Sequence, residues 1–318
     1  MALAQGSSFA KARMIRRNVR RRPWLILAIA AAGVGAAAQS ARAAVLDVFY
    51  ERALMVEANA RCGLFSPAIA GALTAATVQA RGAALRAGAE EDRVAQVEQL
   101  ATQRADAIAC TSPDVAIAAQ RVRSAFEGFA RLNAVDYPGD IAGWHGEHVR
   151  PEAGLAAWGL SQPTTFGADQ MRFGLAVRGA SQPLMAVASF ADGAEPYAAR
   201  LILRDRVRAP RAYLDRPRGA PLGSLALRSR LPPRFATQVF TAEARSAAGR
   251  DLRQAQRSRG WAFRFPAAAA AAMSELDPRE SVAVEFVFAG NDGDAVRTAY
   301  IEVGDFAAGR AFLMAGRN

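Results

Sequence analysis

His145-Gly146-Glu147-His148 brings both histidines of the chain and a carboxylate into four residues, and these are donor types that hold transition metals. The spacing matches neither H-E-x-x-H nor H-x-x-E-H. Gly146 in a non-helical stretch also gives His145, Glu147 and His148 no common helical face, so no metal is expected there. A second set is Arg200, Arg204, Arg206 and Arg208. An extended strand from Ala199 to Arg208 would present these arginines on one side and Ala199, Leu201, Leu203 and Val207 on the other. Guanidinium groups at alternate strand positions stand about 7 Å apart, a spacing that can engage successive phosphates or carboxylates. The competing structural reading is a solvated edge strand whose charges deter edge-to-edge pairing.

Other motifs carry less chemistry. Asn291-Asp292-Gly293-Asp294 lacks the remaining ligands of a calcium loop and reads as a hairpin turn. Gly159-Leu160-Ser161-Gln162-Pro163 recurs as Gly179-Ala180-Ser181-Gln182-Pro183. Proline in the last place rules out a nucleophile elbow, and the two are expected to be similar turns flanking one strand. Trp144, Trp158 and Trp261 could line a glycan groove, but core positions are the plainer expectation. The sequence holds no phosphate loop, dinucleotide fingerprint or zinc spacing, so no cofactor is expected. Paired catalytic carboxylates can lie far apart in a sequence and leave no motif.

The elements that must position these residues change texture along the chain. Lys11, Arg13, Arg16, Arg17, Arg20, Arg21 and Arg22 precede an uncharged apolar run of 15 residues, Trp24 to Ala38, and then the small-x-small triplet Ala41-Arg42-Ala43. This is the order of a secretory signal peptide over 1–43, cleaved before Ala44. An uncleaved inner-membrane anchor is the alternative, disfavoured by a run shorter than the ~20 apolar residues a bilayer requires.

Residues 44–132 are helical in period. Leu46, Phe49, Ala53, Val56 and Ala60 form one apolar stripe. Ser66-Pro67 and Ser112-Pro113 are helix starts and Gly88 is a stop. Four helices with short links predict an antiparallel bundle in which many alanines let backbones approach closely. Cys62 and Cys110 then fall at the same end of a helical hairpin, which predicts a disulfide in an oxidising compartment.

Residues 133–157 contain Tyr137-Pro138-Gly139 and read as a linker. Beyond it the period becomes two: Met171, Phe173, Leu175 and Val177 alternate with polar or small residues, as do Val282, Val284, Phe286 and Phe288. A short alanine helix after Pro266 and a terminal helix from Phe306 complete residues 158–318. The predicted class is α+β, an N-terminal antiparallel helical bundle followed by an antiparallel β-sheet or sandwich domain with a few short helices.

The formal charge of +11 is misleading, because eight of the 40 basic residues precede Ala44. From Ala44 onward the chain has 32 arginines, no lysine and 29 acids, a net charge of +3, so a nucleic-acid partner loses its support. The excess is local: residues 198–264 hold 16 basic and 4 acidic side chains, whereas residues 265–318 hold 4 and 8. Such a segment could attract an anionic envelope polymer or lipid headgroup. Its arginines could equally pair with the acids of the flanking segments.

Arg61-Cys62-Gly63-Leu64-Phe65, Phe126-Glu127-Gly128-Phe129-Ala130-Arg131-Leu132, Leu276-Asp277-Pro278-Arg279-Glu280 and Ile301-Glu302-Val303-Gly304-Asp305-Phe306 resemble blocks found in uncharacterised exported proteins of GC-rich Gram-negative bacteria. That resemblance implies a periplasmic or envelope location and carries no catalytic residue. The expectation is an exported, non-enzymatic binding or structural module whose partner is another envelope protein or an anionic polymer or lipid. The rival is a periplasmic hydrolase acting on a cell-wall or lipid substrate.

Overall fold

Ser112 takes extended backbone angles and its Oγ accepts the Asp114 N–H at 3.3 Å, while Pro113 fills the first helical position, where no N–H is required. Ser66-Pro67 repeats the order without a side-chain capping bond. At Gly88, φ of 88° allows the Ala89 N–H to reach the Ala84 carbonyl and its own N–H to reach that of Leu85, which closes the helix before it.

The computed structural model describes residues 26–214, 225–253 and 259–315. The basic run from Lys11 to Arg22, and Arg216, Arg218 and Arg257 of the arginine-rich segment, lie outside the described residues. The helices are α1 (Ile26–Cys62), α2 (Pro67–Arg86), α3 (Glu91–Ala107), α4 (Pro113–Ala130), α5 (Ala267–Ser274) and α6 (Phe306–Ala315). Among the described residues no helix is long and apolar enough to cross a membrane. The chain separates into a unit of residues 1–41 and a compact unit of residues 42–318.

Within the second unit, Phe49, Ala53, Ala80, Ala84, Val94, Val97 and Ala101 join α1, α2 and α3 in one apolar cluster. Met55, Leu73 and Ala119 join α1, α2 and α4 in another. Cys62 and Cys110 are bonded, with Cα atoms 5.6 Å apart, so the end of α1 is tied to the chain just beyond α3. Next to the bond, the Arg61 guanidinium donates to the Ala105, Asp106 and Ile108 carbonyls and satisfies the open end of α3. α2 also lies along α6, so helices and sheets share the unit.

The strands are β1 (Ala134–Tyr137), β2 (Trp144–Glu147), β3 (Ala157–Phe166), β4 (Asp169–Val177), β5 (Leu184–Ser189), β6 (Ala198–Arg204), β7 (Thr237–Thr241), β8 (Ala244–Ala247), β9 (Trp261–Arg264), β10 (Ser281–Phe288) and β11 (Ala295–Glu302). Described residues form an antiparallel sheet of seven strands, β1-β2-β3-β4-β5-β9-β8, and one of four, β11-β10-β6-β7. Phe173, Leu201, Phe263 and Phe286 fill the space between the sheets, with Phe306 and Phe312 of α6. Each such fully buried side chain stabilises the fold by about 1.5–3 kcal/mol relative to exposure. Asn291 to Asp294 form the predicted turn between β10 and β11.

Three expectations are corrected. The stretch read as a linker, 133–157, carries β1 and β2. It is ordered because the buried Glu302 carboxylate collects the N–H groups of Asp140, Ile141 and Ala142 at 2.7, 2.8 and 2.8 Å. Gly159 to Pro163 is not a turn but the bulged middle of β3, while Gly179 to Pro183 does turn the chain between β4 and β5. The strand expected from Ala199 to Arg208 stops at Arg204, since Asp205 Oδ1 accepts the Val207 and Arg208 N–H groups at 3.0 and 3.2 Å and curls the backbone.

Gln162 ties the two sheets together. Its side-chain oxygen accepts the Glu302 N–H at 2.9 Å and its nitrogen donates to the Glu302 carbonyl at 3.2 Å. Trp144 Nε1 donates to the carbonyls of Glu302 and Val303.

Candidate binding cleft

Ile69, Ala72, Leu73, Ala76 and Gln79 recur at helical spacing along one face of α2, and Val122, Ala125, Phe126 and Phe129 do so along α4. Facing stripes of this kind usually close upon each other. Here Ala72, Ala76 and Ala125 are too short to fill the gap, and a cleft of about 400 Å³ remains. Tyr137 and Ala308 contribute from β1 and α6, and Arg52 and Arg121 bring two cations. α2 and α4 meet around Leu73 and Ala119, where Met55 of α1 joins them, and the gap opens beside that contact. Ile69, Val122, Phe126 and Phe129 are left only half-buried.

The polar groups of the cleft are unlike one another. Arg52 Nη1 donates to the Ala76 carbonyl at 2.7 Å, and burial pulls the guanidinium below its usual pKa. Among the described residues no carboxylate pairs with Arg52 or Arg121. Tyr137 donates its hydroxyl to the Ala308 carbonyl at 3.3 Å, and burial, then the Asp305 charge, raises its pKa, so it remains a phenol. Gln79 Nε2 donates to Asp305 Oδ2 at 3.1 Å. Burial raises the Asp305 carboxyl, opposed by Arg86 and this bond. The lining therefore offers apolar surface and cations, without a carboxylate pair for acid and base work.

The residues singled out from sequence lie elsewhere. Arg200, Arg204, Arg206 and Arg208 do not form a row, because only Arg200 and Arg204 are on a strand and Arg204 is buried. Each has an acidic partner: Arg200 Nε to Glu285 at 3.7 Å, Arg206 Nη1 to Glu275 at 2.5 Å and Arg208 Nε to Asp205 at 3.3 Å. Arg204 holds Glu280 at 2.7 Å. Three of those acids come from residues 265–318, which is the flanking-acid pairing that the charge distribution allowed. Arg204 and Arg206 line a charged cavity of about 400 Å³ with Arg81, Glu91, Glu275 and Asp277, where opposite charges are mixed.

The histidines point apart. His145 Nδ1 donates to Asp136 Oδ1 at 2.7 Å, and Nε2 lies 3.9 Å from Glu147. His148 Nε2 instead donates to the Phe312 carbonyl at 2.8 Å, and its ring stacks on Phe312 with centroids 3.9 Å apart. Among the described residues no group of three or more His, Cys, Asp or Glu side chains could hold a metal. Trp144 and Trp158 are buried, and Arg245 lies 3.6 Å over the half-buried Trp261 ring.

A polar cavity of about 950 Å³ borders His148, Arg131 and Arg150. It is walled largely by loops, and its histidine is already committed to α6. The α2–α4 cleft is the stronger candidate because its walls are helices and it holds an uncompensated, partly desolvated cation. Sequence reading missed Arg52, Ala76 and Arg121. The available signal was an arginine on α1, one helical turn from the apolar stripe residue Val56.

Compared with protein-family models, curated protein sequences and solved structures, the chain has no match, and its candidate site stands on its own geometry.

Proposed function

We propose that this chain is an exported, non-enzymatic binding module of the cell envelope that receives an apolar ligand between α2 and α4. The observation that carries this reading is the α2–α4 cleft, whose volume falls in the range of small-molecule sites and whose lining is mostly apolar with a few polar groups. Export is supported by the basic and apolar order before Ala44 and by the bonded cysteine pair, which is rare in a reducing cytosol. A binding role is further supported by the buried Glu280 and Glu302, whose carboxylates are occupied by arginine or backbone N–H groups. With those arginines and acids neutralising one another, the apolar cleft takes over from Arg200 to Arg208 as the contact region.

The test is fluorescence of a neutral polarity-sensitive dye, Nile red, with the purified full chain and with Ala125→Phe. Ala125 is exposed on α4, so a ring there fills the cleft without entering the core. The parent should bind the dye in a saturable manner and Ala125→Phe should weaken binding about tenfold or more, about 1.4 kcal/mol. Equal binding by the two proteins would reject the cleft.

A further inference from the structure

The arginines that are buried among the described residues, Arg204, Arg230 and Arg279, are each paired with a carboxylate, and so is the part-buried Arg297. Arg204 meets Glu280, Arg230 meets Asp140, Arg279 meets Asp277 and Glu91, and Arg297 meets Asp169 and Asp192. Arg52 on α1 is half-buried and, like Arg172 on β4, has no carboxylate among the described residues. Its one hydrogen bond is to the Ala76 carbonyl, and unlike Arg172 it borders the apolar cleft. A guanidinium has five N–H donors, and removing its charge from water without an anion is costly. Burial accordingly disfavours its charged form. Across the cleft, Arg121 on α4 is a second cation without an acidic partner among the described residues, and Leu73, Val122, Phe126 and Phe129 form the apolar surface between.

We infer that the cleft takes a single-chain fatty acid, its carboxylate paired with Arg52 and its alkyl chain laid between α2 and α4. This assignment rests on the cleft being a binding site, as proposed above, and adds the charge of the head and the residue that reads it. The carboxylate would accept the guanidinium N–H groups that protein leaves open, and a charge-assisted fork is stronger than a neutral hydrogen bond. The alkyl chain would cover the half-buried aromatic rings of α4. Arg121, being exposed, would steer the anion toward the cleft rather than hold it.

The experiment is displacement of Nile red from the full chain by palmitate and by its neutral analogue hexadecanol. Palmitate should displace the dye at about tenfold lower concentration or less, because hexadecanol cannot form the charge-assisted pair with Arg52. Arg52→Gln should abolish that preference and leave hexadecanol unchanged, and Arg52→Lys should keep part of it. Arg52→Lys also covers the case in which the glutamine variant fails to fold, since loss of the entire preference in a folded lysine variant would overturn the proposal. So would equal displacement by both compounds, or tighter displacement by a palmitoyl lysophospholipid than by palmitate. In each of those outcomes the dye still binds and only the fatty-acid assignment falls. If the parent never binds dye or palmitate, the cleft itself is rejected.

Discussion

Arg204 grips Glu280 through two parallel hydrogen bonds, Nε to Oε2 at 2.7 Å and Nη2 to Oε1 at 2.8 Å, in a site that water scarcely reaches. Glu280 Oε1 also accepts the Asp277 N–H at 2.8 Å, so one carboxylate fixes the end of β6 and the turn before β10. Removing one member would strand the other. Arg204→Leu alone should cost about 3–5 kcal/mol, and Arg204→Leu with Glu280→Leu should recover most of that loss. Urea unfolding of both single variants and the double variant measures the coupling.

The Cys62–Cys110 bond closes a loop that contains the whole of α2 and α3. On the chain-entropy model such a bond stabilises by ~4 kcal/mol. Replacing both cysteines with serine should lower the urea midpoint accordingly, and thiol titration of the unreduced, denatured protein should find no free thiol.

Asp192 is exposed, yet Arg297 grips it through Nη1 at 3.1 Å and Nη2 at 2.5 Å, and the Ala194 N–H reaches it at 3.0 Å. These bonds, Arg297 first, pull its pKa from 3.8 to about 2. The stability it contributes is therefore complete above the usual carboxylate pKa and disappears as pH falls through about 2. A carboxyl NMR titration should show that midpoint, and Arg297→Gln should return it toward 3.8.

Two glycines should respond oppositely to alanine. At Gly174, with φ of 151°, an added Cβ would lie 2.0 Å from the Leu160 carbonyl oxygen in the paired strand, so β3 and β4 would have to part. Gly71 faces open space on α2, and alanine there should stabilise by about 0.5–1 kcal/mol. Thermal melts of Gly174→Ala and Gly71→Ala should move in opposite directions.

Local chemistry was readable from sequence where neighbours decide it. Ser112-Pro113 starts a helix, the alternation through Phe286 makes a strand, and Cys62 and Cys110 meet because two helices return to one end. Arg204 was not readable, since its face is decided by Glu280, which is 76 residues away, and by an Asp205 turn that ends the strand early. The β1–β2 segment looked like a linker because its order depends on Glu302, from the far end of the chain. The cleft was hidden for a related reason. Alanines at 72, 76 and 125 permit either contact or a gap, and α2 is also committed to α6, a helix that period alone cannot place against it.

Gln162 has a further consequence for the sandwich. A side-chain amide carries the same donor and acceptor as a peptide unit, so Gln162 pairs with Glu302 as a residue of a neighbouring strand would. Apolar faces alone resist shear weakly, because one methyl group can replace another. The amide acts as a key in its slot: moving either sheet by one residue would orphan two buried bonds at once and swing the Glu302 carboxylate away from the three N–H groups that it holds. Trp144 on the Glu302 and Val303 carbonyls and Arg297 on Asp169 reinforce it. The relative position of the two sheets is thus indexed by polar contacts, while the phenylalanines between them supply cohesion.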